Sequence, residues 1–293
     1  CFLTAPLAGV QAQGTGPTDL APLNIGSGTI IPNQYIVVLK PTTGPEAQST
    51  AIGALQAAGG KVIFEYGAAL KGFAAIMPDQ ALQALRANPS VAYIEADQVV
   101  SLGPDLESGQ QANIETVEST AIEAEAVQTP ATWGLDRIDQ RGLPLNNTYT
   151  YFNNGAGVHV YIIDTGIRST HTQFTGRATK VFDSVGDGRN GDDCAGHGTH
   201  VAGTIGGITY GVAKAVQLHA VRVLNCAGSG SFAGVIAGIN WVAANRIKPA
   251  VANMSLGGGF SSAVNSAVTA AIANGVTFAV AAGNENQNAC NVS

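Results

Sequence analysis

The chain has 293 residues, of which 45% are hydrophobic and 12% are charged, so it can bury a sizeable core and is not a disordered polypeptide. Its formal net charge is −6 at pH 7, and it contains no Lys/Arg-rich run. These properties make nucleic acid and anionic membrane surfaces poor partners. Beyond the N-terminus, no apolar run approaches the roughly 20 residues that span a bilayer, so we expect no membrane anchor.

The N-terminal residues are apolar and end in a small, polar, small pattern around Ala12. This pattern is typical of the end of a secretory signal peptide, although the basic beginning of such a peptide is absent. We therefore interpret residues 1–13 as a signal-peptide remnant and expect a secreted, extracellular protein. A buried strand or a loop is the alternative.

A first folded module is predicted over residues 33–102. Two helical stretches, Glu46–Ala58 and Pro78–Ala87, alternate with short β-rich apolar runs in the order βαββαβ. The four runs are Tyr35–Leu39, Lys61–Tyr66, Gly72–Met77 and Val91–Glu95. This order indicates a small α+β domain of the ferredoxin-like kind, with an antiparallel sheet and two helices on one face.

The composition changes over residues 103–130, which are rich in Glu, Gln, Ser, Thr and Ala and have few large apolar residues. We expect an exposed linker that contains a processing site, and a short surface helix over Ala112–Val127 is compatible with it.

Residues 131–293 alternate short apolar runs with helical stretches, which is typical of an α/β domain with a parallel sheet flanked by helices. The runs are Val158–Ile163, Gln217–Val223, Ala250–Met254 and Val276–Ala281, and the helices are expected at Gly198–Ile205, Ser231–Asn245 and Ser262–Asn274. Ligands of such sheets meet the loops beyond the carboxyl ends of the strands.

Three polar residues lie where functional groups are expected in such a sheet. Asp164 ends an otherwise uncharged strand, His197 stands between Gly196 and Gly198 at the start of a helix, and Asn284 follows a strand. A strand-ending Asp also binds metals or caps helices, and an Asn commonly caps a turn. Beside an acid and a base, however, an amide can donate to a developing oxyanion.

His197 and His200 are one helical turn apart and could be two metal ligands, but no Glu lies between them as it does in HExxH. We therefore interpret His197 as a base and His200 as a structural neighbour.

The four cysteines are Cys1, Cys194, Cys226 and Cys290. Cys194 and Cys226 lie in Gly-rich loops, which suits a disulfide, whereas Cys290 has no evident partner. A Cys/His zinc site is the competing idea, but no CxxC pair supports it.

The Asp-Thr-Gly sequence at 164, His-Gly-Thr-His-Val-Ala-Gly-Thr at 197, Asn-Met-Ser-Leu-Gly-Gly-Gly at 253 and Ala-Ala-Gly-Asn at 281 resemble the subtilase family. Within that family the chain is similar to the proteinase K branch, and to aqualysin-like enzymes in particular, whose mature start resembles the segment at Trp133. The first module resembles the inhibitory propeptide of the family.

This resemblance implies a serine endopeptidase precursor with polypeptide substrates, its own propeptide as intramolecular inhibitor, and a monomeric state. Asp164 would orient His197, His197 would transfer the proton of a serine hydroxyl, and Asn284 would complete the oxyanion hole. Two segments, Gly228–Phe232 and Ser255–Gly259, would pair with a substrate strand. The implied binding residues are Gly228, Gly230, Phe232, Ser255, Leu256, Gly257, Ala281 and Gly283. An exposed aromatic on a loop is the alternative for Phe232.

The family places its nucleophile in Gly-Thr-Ser-Met-Ala, and no Gly-Thr-Ser occurs in this sequence. The corresponding cysteine of aqualysin-like enzymes pairs with one farther along, so a C-terminal truncation would explain both the missing serine and Cys290. The alternative is a non-catalytic fragment that acts as a peptidase inhibitor or folding chaperone through its first module.

The resemblance also implies structural calcium. One such site is suggested by four oxygen-bearing residues with the appropriate spacing: Asp136, Asp139, Gln140 and Asn146. Two carboxylates and two amides are, however, also common in ordinary surface loops. Three aspartates form a weaker second candidate: Asp187, Asp192 and Asp193.

Overall fold

A computed structural model describes residues 20–102 and 126–284 together with Asn286 and Asn288. The predicted signal remnant, most of the predicted linker, Cys1 and Cys290 lie outside the described residues. Within the described ranges, no helix combines the length and apolarity that crossing a bilayer would require.

The first module has the predicted βαββαβ order, preceded by a two-residue strand. Its elements are β1 Leu23–Asn24, β2 Ile30–Leu39, α1 Pro45–Ala57, β3 Lys61–Tyr66, β4 Gly72–Ile76, α2 Asp79–Arg86 and β5 Val91–Ser101. The strand order is β1-β5-β2-β4-β3, antiparallel except that β1 runs parallel to β5. Strand β5 is six residues longer than the predicted run because its far end pairs with the second domain.

The second domain carries the predicted parallel sheet. Its elements are β6 Ala126–Gln128, α3 Trp133–Asp139, β7 Tyr149–Tyr151, β8 His159–Asp164, β9 Ala178–Asp183, α4 His197–Gly206, β10 Gln217–Arg222, β11 Ser229–Ser231, α5 Phe232–Asn245, β12 Ala250–Met254, α6 Ser262–Ala273 and β13 Val276–Val280. Five strands form the sheet in the order β13-β12-β8-β10-β9. Strand β6 lies inside the predicted linker and pairs with β7.

Alternating side chains of β8 separate two cores, as the period of two in a strand requires. Val160 and Ile162 pack in one core with Ala202 of α4. Tyr161 and Ile163 face the other core with α5 and α6. The sheet is therefore covered by helices on both faces, which explains why its strands are continuous apolar runs.

The sheet of the first module is also buried on both faces. Val37 and Leu39 of β2 pack against α1 and α2, as predicted. Their neighbours Ile36 and Val38 belong to the same core as α5 and α6 of the second domain. The module thus docks on these two helices through the sheet face that its own helices leave free.

Candidate active site

Asp164 and His197 are in direct contact at the carboxyl edge of the parallel sheet. Asp164 ends β8 and is fully buried, and His197 is the first residue of α4. The His197 Nδ1 and Asp164 Oδ1 atoms are 2.7 Å apart, and the same oxygen accepts from the Thr165 backbone N–H at 2.6 Å. The sequence placed both residues at this edge, and their contact leaves Nε2 of the imidazole for a second partner.

Two glycines allow this contact. Gly196 has a φ of +94°, a left-handed conformation that side chains rarely adopt. A Cβ on Gly198 would lie 2.2 Å from the Gly166 carbonyl oxygen and 3.2 Å from the Asp164 Cβ, because α4 begins directly against the end of β8. Glycine at both positions is therefore a geometric requirement of the Asp164–His197 contact.

The electrostatics of the pair favour a basic imidazole. The hydrogen bond with Asp164 raises the pKa of His197 above its ordinary value, against the opposing effect of partial burial. Burial raises the pKa of Asp164, and the hydrogen bond from His197 counteracts that rise. The Asp164 Oδ2 atom is buried and has no hydrogen-bond partner. The pair thus consists of a buried carboxylate, Asp164, and an imidazole, His197, whose ability to accept a proton is increased by their hydrogen bond.

Asp193 organises the segment around His197. Its carboxylate accepts five hydrogen bonds, from the Thr165 hydroxyl (2.9 Å), the Ala195 and Gly196 N–H groups (both 2.9 Å), and the Thr199 N–H (2.9 Å) and hydroxyl (2.6 Å). One side chain therefore joins the end of β8 to the first turn of α4. The sequence interpretation missed this role; a carboxylate four residues before the histidine was the available signal.

The second calcium candidate does not form a cluster. Asp193 is occupied as described, Asp192 pairs with Lys180 at 3.5 Å, and Asp187 binds the Arg222 guanidinium. Among the described residues, no group of three His, Cys, Asp or Glu side chains could hold a metal ion.

Arg222 is a buried cation next to the acid. It ends β10, is fully buried, and is the register partner of Asp164 on β8. Its guanidinium binds Asp183 (3.0 Å) and Asp187 (2.6 and 2.8 Å) and donates to the Thr165 carbonyl at 3.2 Å. The hydrogen bonds that Asp187 accepts from Arg222 are the main reason that its pKa is lowered to about 2. Arg222 thereby anchors the backbone that follows Asp164.

Two other sequence expectations concern this neighbourhood. Cys194 and Cys226 form a disulfide, as predicted, which joins the loop before α4 to the loop before β11. His200 is exposed, and its backbone N–H bonds the Gly196 carbonyl in the helix. Within the described residues, the ring of His197 bonds Asp164 rather than His200.

The end of β5 lies between the two segments predicted to bind substrate. Val99, Val100 and Ser101 pair antiparallel with β11, and Gly230 is the register partner of Val100. Ser101 also exchanges two hydrogen bonds of 3.1 Å with Gly257. The next N–H, that of Leu102, donates to the Gly228 carbonyl at 3.2 Å. The first module thus inserts its final residues as a strand in the place expected for a peptide.

The second of these segments is less regular than predicted. Within Ser255–Gly259, which was expected to pair with a substrate strand, only Gly257 forms a β-bridge. The Ser255 hydroxyl accepts from the Asn253 amide at 2.9 Å, and Leu256 packs at the border of the core. The glycine run explains the short pairing, because glycine weakens a strand.

The remaining predicted site residues differ in exposure. Phe232 is buried, so the alternative of an exposed loop aromatic is wrong, and a Cβ on Gly258 would lie 2.8 Å from its ring. Ala281, Gly283 and Asn284 follow β13 and are exposed. Since β13 lies two strands from β8 in a parallel sheet, Asn284 follows a strand that ends on the same edge as Asp164.

Two buried carboxylates of the first module lie at helix N-termini of the second domain. Asp97 accepts from the Ala233 N–H of α5 at 3.0 Å. Glu95 accepts from the Ser261 hydroxyl and from the N–H groups of Ser262 (3.1 Å) and Ala263 (3.3 Å) at the start of α6. Carboxylates are favoured there because the first helical N–H groups lack partners. The sequence interpretation missed both residues.

A third contact involves the loop after β3. The Asn240 side-chain oxygen of α5 accepts from three consecutive N–H groups, at 2.9, 2.7 and 3.1 Å. The donors are Gly67, Ala68 and Ala69.

The predicted calcium ligands lie on α3 and in the loop after it, and one of their oxygens is unsatisfied. Asp139 Oδ1 is buried without a hydrogen-bond partner, which fits a ligand of a hard cation. Asp136 accepts from the N–H groups of Asn146 and Asn147, and the Asn146 side-chain oxygen accepts from Thr148. The Gln140 amide nitrogen donates to two carbonyls, which leaves its oxygen for a ligand. Of the four predicted ligands, Asp139 and Gln140 therefore retain an oxygen that could bind a hard cation.

Comparison with known protein families matches both domains. Residues 155–293 match the subtilase family, and residues 34–103 match the peptidase inhibitor I9 family.

Individual relatives agree with these matches. An extracellular serine proteinase of Thermus sp. (strain Rt41A) is 50% identical over 93% of this chain and 66% of that protein. Proteinase R of Parengyodontium album is 41% identical over 94% of this chain and 65% of that protein. The crystal structure of a cold-adapted subtilisin-like serine proteinase is 56% identical, with a TM-score of 0.55 over 56% of this chain and 60% of that one. The chain thus spans about two thirds of the length of the Thermus proteinase and of proteinase R.

Proposed function

The chain belongs to the subtilase family and carries an inhibitor I9 propeptide domain, and on this basis we propose that it contains the acid–base part of a secreted serine endopeptidase precursor. The observation that carries the proposal is the 2.7 Å contact between buried Asp164 and His197. In this reaction His197 accepts the proton of a serine hydroxyl and passes it to the leaving amine, while Asp164 orients the ring and stabilises its charged form.

The other site residues have supporting roles in the proposal. Asn284 donates its amide to the oxyanion, and the segments Gly228–Phe232 and Ser255–Gly259 bind the substrate backbone, with Ala281 and Gly283 beside the primary pocket. Asp193 is a positioning residue that acts through Thr165 and the first turn of α4. The proposal assigns no nucleophile to residues 1–293, because they contain no Gly-Thr-Ser sequence.

The first module is proposed to be the intramolecular inhibitor of this enzyme. Its last residues occupy the place of a substrate strand, and its carboxylates Glu95 and Asp97 fix it on α5 and α6. We also propose that the protein is a monomer and that its substrates are polypeptides.

The experiment begins by reading the gene beyond the codon of Ser293. A frame that continues into a Gly-Thr-Ser sequence supports the endopeptidase, and its product should hydrolyse casein. His197→Ala should lower kcat by about 10⁴-fold or more, whereas His200→Ala, one turn along, should leave the rate near that of the parent. Undiminished hydrolysis by His197→Ala would refute the assignment.

A stop codon directly after Ser293 would favour the second candidate, a non-catalytic inhibitor or folding chaperone. The pairing of β5 with β11 and Gly257 is the observation that supports it. The chain should then inhibit a related subtilase in trans without hydrolysing peptides itself. Residues 1–293 alone are expected to show no His197-dependent proteolysis in either case.

Structural calcium is a separate part of the proposal, with Asp139 and Gln140 as ligands beside Asp136 and Asn146. Calcium should raise the Tm of the chain relative to excess chelator, and Asp139→Asn should remove that difference. An equal calcium response of the variant would contradict the assignment.

A further inference from the structure

A segment that precedes the inhibitor-family match takes part in docking. The match begins at residue 34, but the structure describes the chain from Leu20. We call residues 20–33 the N-terminal segment. It includes β1 and the first residues of β2.

The N-terminal segment is hydrogen-bonded to the end of α2 and along β5. The Ala21 N–H donates to the Arg86 carbonyl at 2.7 Å, and the Ala21 side chain is buried in the module core. The Ile94 N–H donates to the Pro22 carbonyl at 2.8 Å. Farther along, the Val99 N–H donates to the Thr29 carbonyl at 2.8 Å, next to the residues that enter the substrate groove. The segment therefore supports β5 up to the point where β5 pairs with β11.

Gln98 connects this segment to the second domain. Its side chain is fully buried; Oε1 accepts from the Gly28 N–H at 2.7 Å, and Nε2 donates to the Phe260 carbonyl at 3.3 Å. The backbones of Gly28 and Gly259 also touch, since a Cβ on Gly259 would lie 2.5 Å from the Gly28 nitrogen. Gly259 belongs to the segment whose Gly257 binds Ser101.

We propose that the N-terminal segment is a clasp that holds the inhibitor module on the peptidase domain, acting through Gln98 and the Gly28–Gly259 contact. A β-strand tail alone relies on backbone bonds that any substrate also makes. The clasp adds the Gln98–Phe260 hydrogen bond, which lies beyond the proposed substrate segment Ser255–Gly259, so it favours the module over a bound peptide. The inference rests on the proposed inhibitor role.

The test uses the full chain with a specific protease site introduced within residues 103–125. After cleavage there, the dissociation rate of the N-terminal piece from the C-terminal piece is measured by size exclusion and by surface binding. Gly28→Val and Gly259→Val place a side chain into the contact from opposite sides. Gly53→Val is the matched control, because Gly53 is on the exposed face of α1 and an added Cβ would meet no atom within 4 Å beyond the helix's own backbone.

Both contact variants should dissociate about tenfold faster than the parent, the effect expected from losing one buried hydrogen bond, and Gly53→Val should not. Equal rates for all three variants would overturn the clasp. If Gly28→Val loses hydrogen-exchange protection in α1 and α2, Gly259→Val decides the matter, because it leaves the module sequence unchanged. Immediate separation of the parent pieces would instead refute docking itself, and with it the proposed inhibitor role.

Discussion

The Asp97 carboxylate of the inhibitor module accepts a hydrogen bond of 3.0 Å from the backbone N–H of Ala233, in the first turn of α5. Neither residue is exposed. Glu95 has the same relation to α6, so two helices of the peptidase domain have their N-terminal N–H groups satisfied by the module. Docking and helix capping are thus one set of interactions, which makes the stability of the complex sensitive to these carboxylates.

The docked complex should weaken as the pH rises. Burial raises the pKa of Asp97 and of Glu95 above their ordinary values of 3.8 and 4.5. The docked form therefore binds protons more tightly than the released form, and its extra stability is complete below the ordinary values and lost as pH rises through the raised ones. Dissociation rates of the cleaved chain between pH 4 and 8 measure this effect.

Asp97→Asn combined with Glu95→Gln should flatten that pH profile. Asp79→Asn, on the exposed first turn of α2, is the control and should keep the parent slope. A double variant with an unchanged slope would show that other groups cause the pH dependence.

The His197 ring should titrate above its ordinary pKa of 6.5 because of its hydrogen bond with Asp164. While Asp164 is ionised, the protonation of His197 therefore stabilises the fold fully below pH 6.5, and this contribution is lost as pH rises through the raised value. Asp164→Asn should lower the pKa of His197, as measured by NMR titration, with His200→Gln used to assign the signals. A His197 pKa that does not respond to Asp164→Asn would contradict the 2.7 Å contact.

Removing the Asp193 carboxylate should lower both the stability of the domain and the pKa of His197. Asp193→Ala deletes five hydrogen bonds to a carboxylate, so we expect the free energy of unfolding to fall by about 1–3 kcal/mol. The pKa of His197 should also fall, because Asp193 contributes to its rise. Asp192→Ala breaks only an ion pair with Lys180, whose side chains are 37% and 44% exposed, and should cost about 0.5 kcal/mol or less. Equal effects in urea unfolding would refute the positioning role.

The disulfide between Cys194 and Cys226 should stabilise the second domain by restricting its unfolded state. For a sequence separation of 32 residues the loop-entropy relation gives about 3–4 kcal/mol. Urea unfolding of the parent and of the Cys194→Ser, Cys226→Ser double variant, each with and without dithiothreitol, measures it. Only the parent should respond to the reductant; an unresponsive parent would rule the bond out as a stabilising element.

Much of the fold follows from local patterns. Continuous apolar runs indicated the buried strands β8, β10, β12 and β13, and the βαββαβ order indicated the inhibitor module. The short elements β1, β7 and α3 were missed, because two to seven residues carry no readable periodicity.

By itself, the sequence determined the apolar strands β8, β10, β12 and β13, the longer helices, and the placing of Asp164 and His197 at one edge, since continuous apolar runs, a strand-ending acid and paired glycines are local signals. The tertiary structure alone decided how Glu95, Asp97 and Asp193 are used. Asp97 meets Ala233 across 136 positions and Glu95 meets Ser261 across 166. No local pattern reports such a pairing, because it arises only when the module docks and brings buried carboxylates to unsatisfied N–H groups.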